Sequence, residues 1–74
     1  MDIRKISVGP DYKSGAMHYL VGQEILNGKY SIHLIRQDSE CLSIKIWIER
    51  KDEVLLWKEF SSDMPIAIEY NINF

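Results

Sequence analysis

Toward the end of the chain, Ile66, Ile68, Tyr70, Ile72 and Phe74 alternate with Ala67, Glu69, Asn71 and Asn73. A strict period of two is what a strand with one buried face requires, because successive side chains point to opposite sides of a sheet. The alternation reaches the last residue of the sequence, so this end is expected to be held in a sheet or an interface. Ile3–Val8 has a weaker form of the same pattern. The intervening sequence is a series of short Ile, Val, Tyr and Trp runs between turn signals at Gly9-Pro10, Ser14-Gly15, Asn27-Gly28, Asp38-Ser39, Lys51-Asp52 and Ser61 to Pro65. Such spacing predicts an all-β, mainly antiparallel domain of about six short strands in hairpins. The expected form is a curved sheet or a small barrel-like sandwich, with residues 1–74 as one domain.

Asn27-Gly28 gives the clearest hairpin, since both residues tolerate the positive φ of a two-residue turn. That loop pairs Leu26 with Lys29, Ile25 with Tyr30, Val21 with Leu34 and Tyr19 with Arg36. Tyr19, Val21, Ile25, Tyr30, Ile32 and Leu34 then share one face, and His18, Glu24, Ser31, His33 and Gln37 the other. The alternative is a short helix over 14–26, capped by Ser14 and stopped by Gly28; Gly22 and the β-formers Tyr19 and Val21 oppose it. A second hairpin joins Leu42–Arg50 to Val54–Phe60. A two-residue loop at Lys51-Asp52 would set Lys45 against Lys58, a repulsive pair, so a three-residue loop is preferred. It pairs Lys45 with Glu59, Ile44 with Phe60, Ile48 with Leu56, and Trp47 with Trp57. Leu42, Ile44, Ile46, Ile48 and Leu56 then face inward, and both tryptophans share the other face with Lys45, Glu49 and Glu59.

A chain of 74 residues has little core. It buries only about 60% of the surface its unfolded form exposes, and small scaffolds of this kind usually need a staple. The single cysteine, Cys41, rules out an internal disulfide. Cys41 with the distant His18 and His33 does not make a zinc site, so no metal and no cofactor is expected. The remaining staple is association, which makes a homo-oligomer the expectation. A formal net charge of −2 with interspersed signs opposes DNA or RNA as a partner. No run is long and apolar enough for a membrane, and the lone cysteine fits a reducing cytoplasm.

No nucleophile–base or paired-carboxylate arrangement stands out, so binding rather than catalysis is expected. Two places suit a partner. Gly9 to Gly15 brings Asp11, Tyr12, Lys13 and Ser14 into one glycine-flanked loop. A lysine with free backbone N–H groups suits an anion, and Tyr12 offers a flat face for a base or sugar. Walker spacing is missing, and an ordinary Gly-Pro connector explains the same residues. The second place is the Trp47–Trp57 surface, an aromatic area with a charged rim. His18 and Gln23 are candidate polar contacts near the loop, although the hairpin register turns Gln23 toward the apolar face. His18 and His33 are otherwise read as satisfied or solvent-facing, Ser31 as a nucleophile candidate by proximity only, and Cys41 as buried or inert.

The segments Gly9-Pro10-Asp11-Tyr12-Lys13, Met17-His18-Tyr19, Val21-Gly22-Gln23, Trp57-Lys58-Glu59-Phe60 and Glu69 to Phe74 resemble a family of short phage-encoded proteins. The likeness spans most of the chain and brings no catalytic or binding pattern with it. It implies an anti-defence role in the cytoplasm of a host cell. Such a protein would either act as a small oligomeric sponge that sequesters a nucleotide-derived signal, or block a host protein through an aromatic surface or sheet edge. In the sponge reading Asp11, Tyr12 and Lys13 would contact phosphate or ribose, His18 and Gln23 would add polar contacts, and Trp47 or Trp57 would stack on a base.

Overall fold

The computed structural model describes residues 2–9 and 17–71. These form seven strands: β1 (Ile3–Val8), β2 (Met17–Leu20), β3 (Glu24–Ile25), β4 (Tyr30–Gln37), β5 (Ile44–Arg50), β6 (Glu53–Phe60) and β7 (Ile66–Tyr70). They make two antiparallel sheets, ordered β2-β1-β7 and β3-β4-β5-β6, and one of them curls into a half-barrel. The all-β class and the strand at Ile3–Val8 agree with the sequence pattern. Residues 17–26 form strands and turns, which removes the helix over that part of 14–26.

The core lies between the sheets. Ile3, Ile6, Val8 and Tyr19 from one side meet Ile32, Ile35, Ile44, Ile46 and Ile48 from the other. β-Branched side chains suit this arrangement, because they stand off a pleated surface with few rotamers to lose. Each isoleucine fully withdrawn from water contributes roughly 1.5–3 kcal/mol before chain entropy is counted. Ile25, Tyr30, Trp57, Phe60, Ile66 and Ile68 pack around this centre.

The first hairpin corrects the sequence register. Ile25 pairs with Tyr30 as expected, but the loop takes four residues, with Leu26 (φ 53), Asn27 (φ 60) and Gly28 (φ 80) left-handed in succession. Above Glu24 the chain leaves β4. Tyr19 pairs with Ile6 of β1, so the expected Tyr19–Arg36 and Val21–Leu34 pairs do not form. The corner is Val21-Gly22-Gln23. Val21 N–H donates to Arg4 O (3.0 Å) in one sheet, and Gly22 N–H donates to Ile32 O (2.8 Å) in the other. Gly22 makes this switch at φ +92, with no heavy atom within 4 Å of where a Cβ would sit. Gly22→Ala therefore tests backbone strain alone. It is expected to cost about 1–2 kcal/mol in urea unfolding, and an unchanged midpoint would show that the corner does not need glycine.

The second hairpin resolves the Lys45–Lys58 conflict differently from the expected three-residue loop. Arg50 pairs with Glu53 across the two residues Lys51-Asp52, and the extra residue is absorbed further on, where the register shifts between Ile46 and Trp47. Before the shift Ile48 meets Leu55 and Trp47 meets Leu56; beyond it Lys45 meets Glu59 and Ile44 meets Phe60. A bulge thus combines the register of the short loop at the turn with that of the longer loop beyond. The expected Trp47–Trp57 and Ile48–Leu56 pairs do not form. Leu56 is 52% exposed instead of inward, and Leu42, also expected inside, lies before β5 at φ 61 and is 52% exposed.

Candidate functional site

β5 sets the two faces of the four-stranded sheet. Ile44, Ile46 and Ile48 are buried, so Lys45, Trp47 and Glu49 between them point outward. The pairing extends this outer face across the neighbours in three rows: Ser31–Glu49–Val54, Leu34–Trp47–Leu56, and Arg36–Lys45–Glu59. The middle row is apolar from side to side, and Val54, 50% exposed, adjoins it at the edge. Above the row His33 Nδ1 lies 2.9 Å from Glu49 Oε2. Below it, Lys45 Nζ lies 3.5 Å from Asp38 Oδ2. A half-covered tryptophan between aliphatic neighbours, rimmed by charges, has the anatomy of a protein-docking patch.

The bulge separates the tryptophans. Trp57 turns inward, its ring edge-on to buried Tyr19 with centroids 5.8 Å apart, and Lys58 Nζ lies 4.8 Å from its centroid. Phe60 also packs on Tyr19, at 5.6 Å. Burial among these rings pushes the Tyr19 hydroxyl above its usual pKa of 10. Trp47 and Trp57 thus lie on opposite faces of the sheet, not on the shared surface that equal pairing predicted.

The remaining predicted residues are spread out. Asp11, Tyr12 and Lys13 lie outside the described residues. His18, on the outer side of the three-stranded sheet, shares a 2.8 Å hydrogen bond between Nδ1 and the Ser7 hydroxyl. His33 is on the other sheet with Glu49, so the two histidines do not share a face. Gln23 is exposed, and its Oε1 accepts from Leu20 N–H (3.0 Å), which braces the corner at Gly22. Cys41, expected to be buried or inert, is exposed, and its Sγ lies 3.1 Å from Ser43 Oγ. Ser43 in turn donates to Glu59 Oε2 (3.0 Å). Among the described residues no group of three or more His, Cys, Asp or Glu side chains could hold a metal ion. No helix among them is long and apolar enough to cross a membrane.

Sequence reasoning missed Leu34, Val54 and Leu56. The signal was Val54-Leu55-Leu56, three consecutive apolar residues on a strand that can bury only one face.

Asp38 anchors the β4–β5 turn beside this surface. Its Oδ1 accepts from Glu40 N–H (2.7 Å) and Cys41 N–H (3.2 Å). These two bonds, helped by Lys45, hold the Asp38 carboxyl below the usual aspartate range. A depressed folded-state pKa stabilises the fold above the unfolded value and is lost as pH falls through the folded one. Acidification from about pH 5 to pH 2 should therefore lower Tm more in the wild type than in Asp38→Asn. Parallel Tm–pH curves would remove Asp38 from the acid response.

Comparison with protein-family models, curated proteins and solved structures finds no match to this chain.

Proposed function

We propose that this chain is a binding protein without chemistry of its own, which docks on another protein through the outer face of its four-stranded sheet. The observation that carries this reading is the continuous row Leu34–Trp47–Leu56, left open on a domain too small to waste a tryptophan. Aromatic anchors inside a polar rim dominate binding energy at protein interfaces. A role in blocking a host protein, as the resemblance to short phage proteins implies, uses the same surface. The test is affinity capture from host lysate with wild-type and Trp47→Lys chains. One protein in stoichiometric amount, held by the wild type and lost in the variant, supports the reading; equal capture by both removes it.

A second function has one observation in its favour. Val8 pairs with Met17, so the described strands that flank the stretch containing Asp11, Tyr12 and Lys13 meet there, with His18 on one of them. That placement suits capture of a small anionic, nucleotide-like ligand in the manner of a sponge. Native mass spectrometry of protein purified from defence-active cells separates the two. A retained mass of nucleotide size, lost when Tyr12 and Lys13 are both changed to Ala, favours the ligand; a bare chain favours the docking surface.

A further inference from the structure

β6 ends the four-stranded sheet, and among the described residues no strand pairs with its outer edge. Val54, Leu55 and Leu56 on it are 50%, 40% and 52% exposed. A flat apolar edge is normally blunted, because its free N–H and C=O groups template another strand. The far half of β6 is blunted: the bulge at Trp57 interrupts the ladder, and Lys58, opposite Ile46, is an inward-side charge. The half at Val54–Leu56 has no such device. We infer that two copies of this chain pair there, through antiparallel β6 strands related by a twofold axis at Leu55.

The hydrogen-bonding register selects this axis. Asp38 N–H donates to Ser43 O (2.8 Å), so the Ser43, Lys45 and Trp47 amides of β5 face β4, and those of Ile44, Ile46 and Ile48 face β6. Their partners Phe60, Lys58 and Leu55 therefore face β5, and Val54 and Leu56 turn their amide and carbonyl groups to the open edge. A twofold axis relating antiparallel strands stands perpendicular to the sheet and passes through a residue pair. Placed at Leu55, it sets Val54 of each copy against Leu56 of the other, so that all the outward groups of both residues are satisfied.

An axis at Leu56 would instead carry Val54 past the bulge at Trp57, where the ladder is interrupted. The contact is isologous and closes as a dimer, whereas β6 on the β7 edge of another copy would propagate. Pairing also joins the two Leu34–Trp47–Leu56 rows through Val54 into one apolar band. It does not depend on what docks there.

The test reads mass by sedimentation equilibrium across a wide concentration range. The wild type should approach the mass of two chains. Val54→Pro, which removes an outward N–H and leaves the β5 ladder intact, should stay at the mass of one chain with an unchanged far-UV spectrum. Cross-linking gives a second measurement independent of that proline. Leu55 would face its own copy in a non-hydrogen-bonded pair with Cα atoms about 4.5 Å apart, within disulfide range. In a Cys41→Ser background, Leu55→Cys should form a covalent dimer with oxidised glutathione, and Val54→Cys should not. A wild type with the mass of one chain throughout, a dimer that survives Val54→Pro, an open series of larger species, or equal cross-linking at both positions would each overturn the inference.

Discussion

Ile46→Ala is expected to destabilise the chain by about 2–5 kcal/mol, measured as a fall in the urea midpoint. Ile46 is 0% exposed, on β5, with Ile44 and Ile48 on the same face. Deleting most of its side chain removes both the transfer free energy and the contacts around the hole, since the surrounding backbone is pinned by ladders on both sides. A domain of this size has a margin near the low end of about 5–15 kcal/mol, so the variant should sit close to its unfolding midpoint at room temperature. Ile6→Ala, from the opposite sheet and also 0% exposed, should have the same effect on the same single transition. Two separate transitions in either variant would mean that the sheets do not share one core. A cost below about 1 kcal/mol at both positions would mean that the interior is not packed as described.

Trp47→Ala and Trp57→Ala should fail in opposite ways. Trp47 is on the outer face, so its loss should change stability by less than about 1 kcal/mol. As the central anchor of the docking row, it should weaken a captured partner by about 2–4 kcal/mol, some 30- to 1000-fold in Kd. Trp57 has its ring against Tyr19, 5.8 Å between centroids, and its removal opens the seam of the core. Its loss should cost about 2–3 kcal/mol of folding stability, while affinity measured on the folded fraction stays near wild type. Urea unfolding and titration calorimetry of both variants separate the roles. Equal effects of the two on binding would mean that the tryptophans act together after all, and would point to a rearrangement of the bulge.

Local chemistry determined much of this protein in the sequence. The period-two alternation at Ile44–Ile48 and Ile66–Ile68, together with Asn27-Gly28, was enough to make it all-β, because face segregation and turn preference act over only a few residues. The Ile25–Tyr30 pair was legible for the same reason, as was the rule that Lys45 must meet Glu59. The tertiary structure decided where the ladders break. At Gly22 the chain changes sheets because Tyr19 gains more by burial against Ile6, Trp57 and Phe60 than by continuing along β4. At Trp57 a bulge takes up the residue that sequence reasoning had given to the loop, because both the short turn and the Lys45–Glu59 pair are then kept. That one displaced residue turns Trp57 into the core and leaves Trp47 and Leu56 together outside. Its position depends on contacts between residues distant in sequence, and a pattern that repeats every two residues contains no information about them.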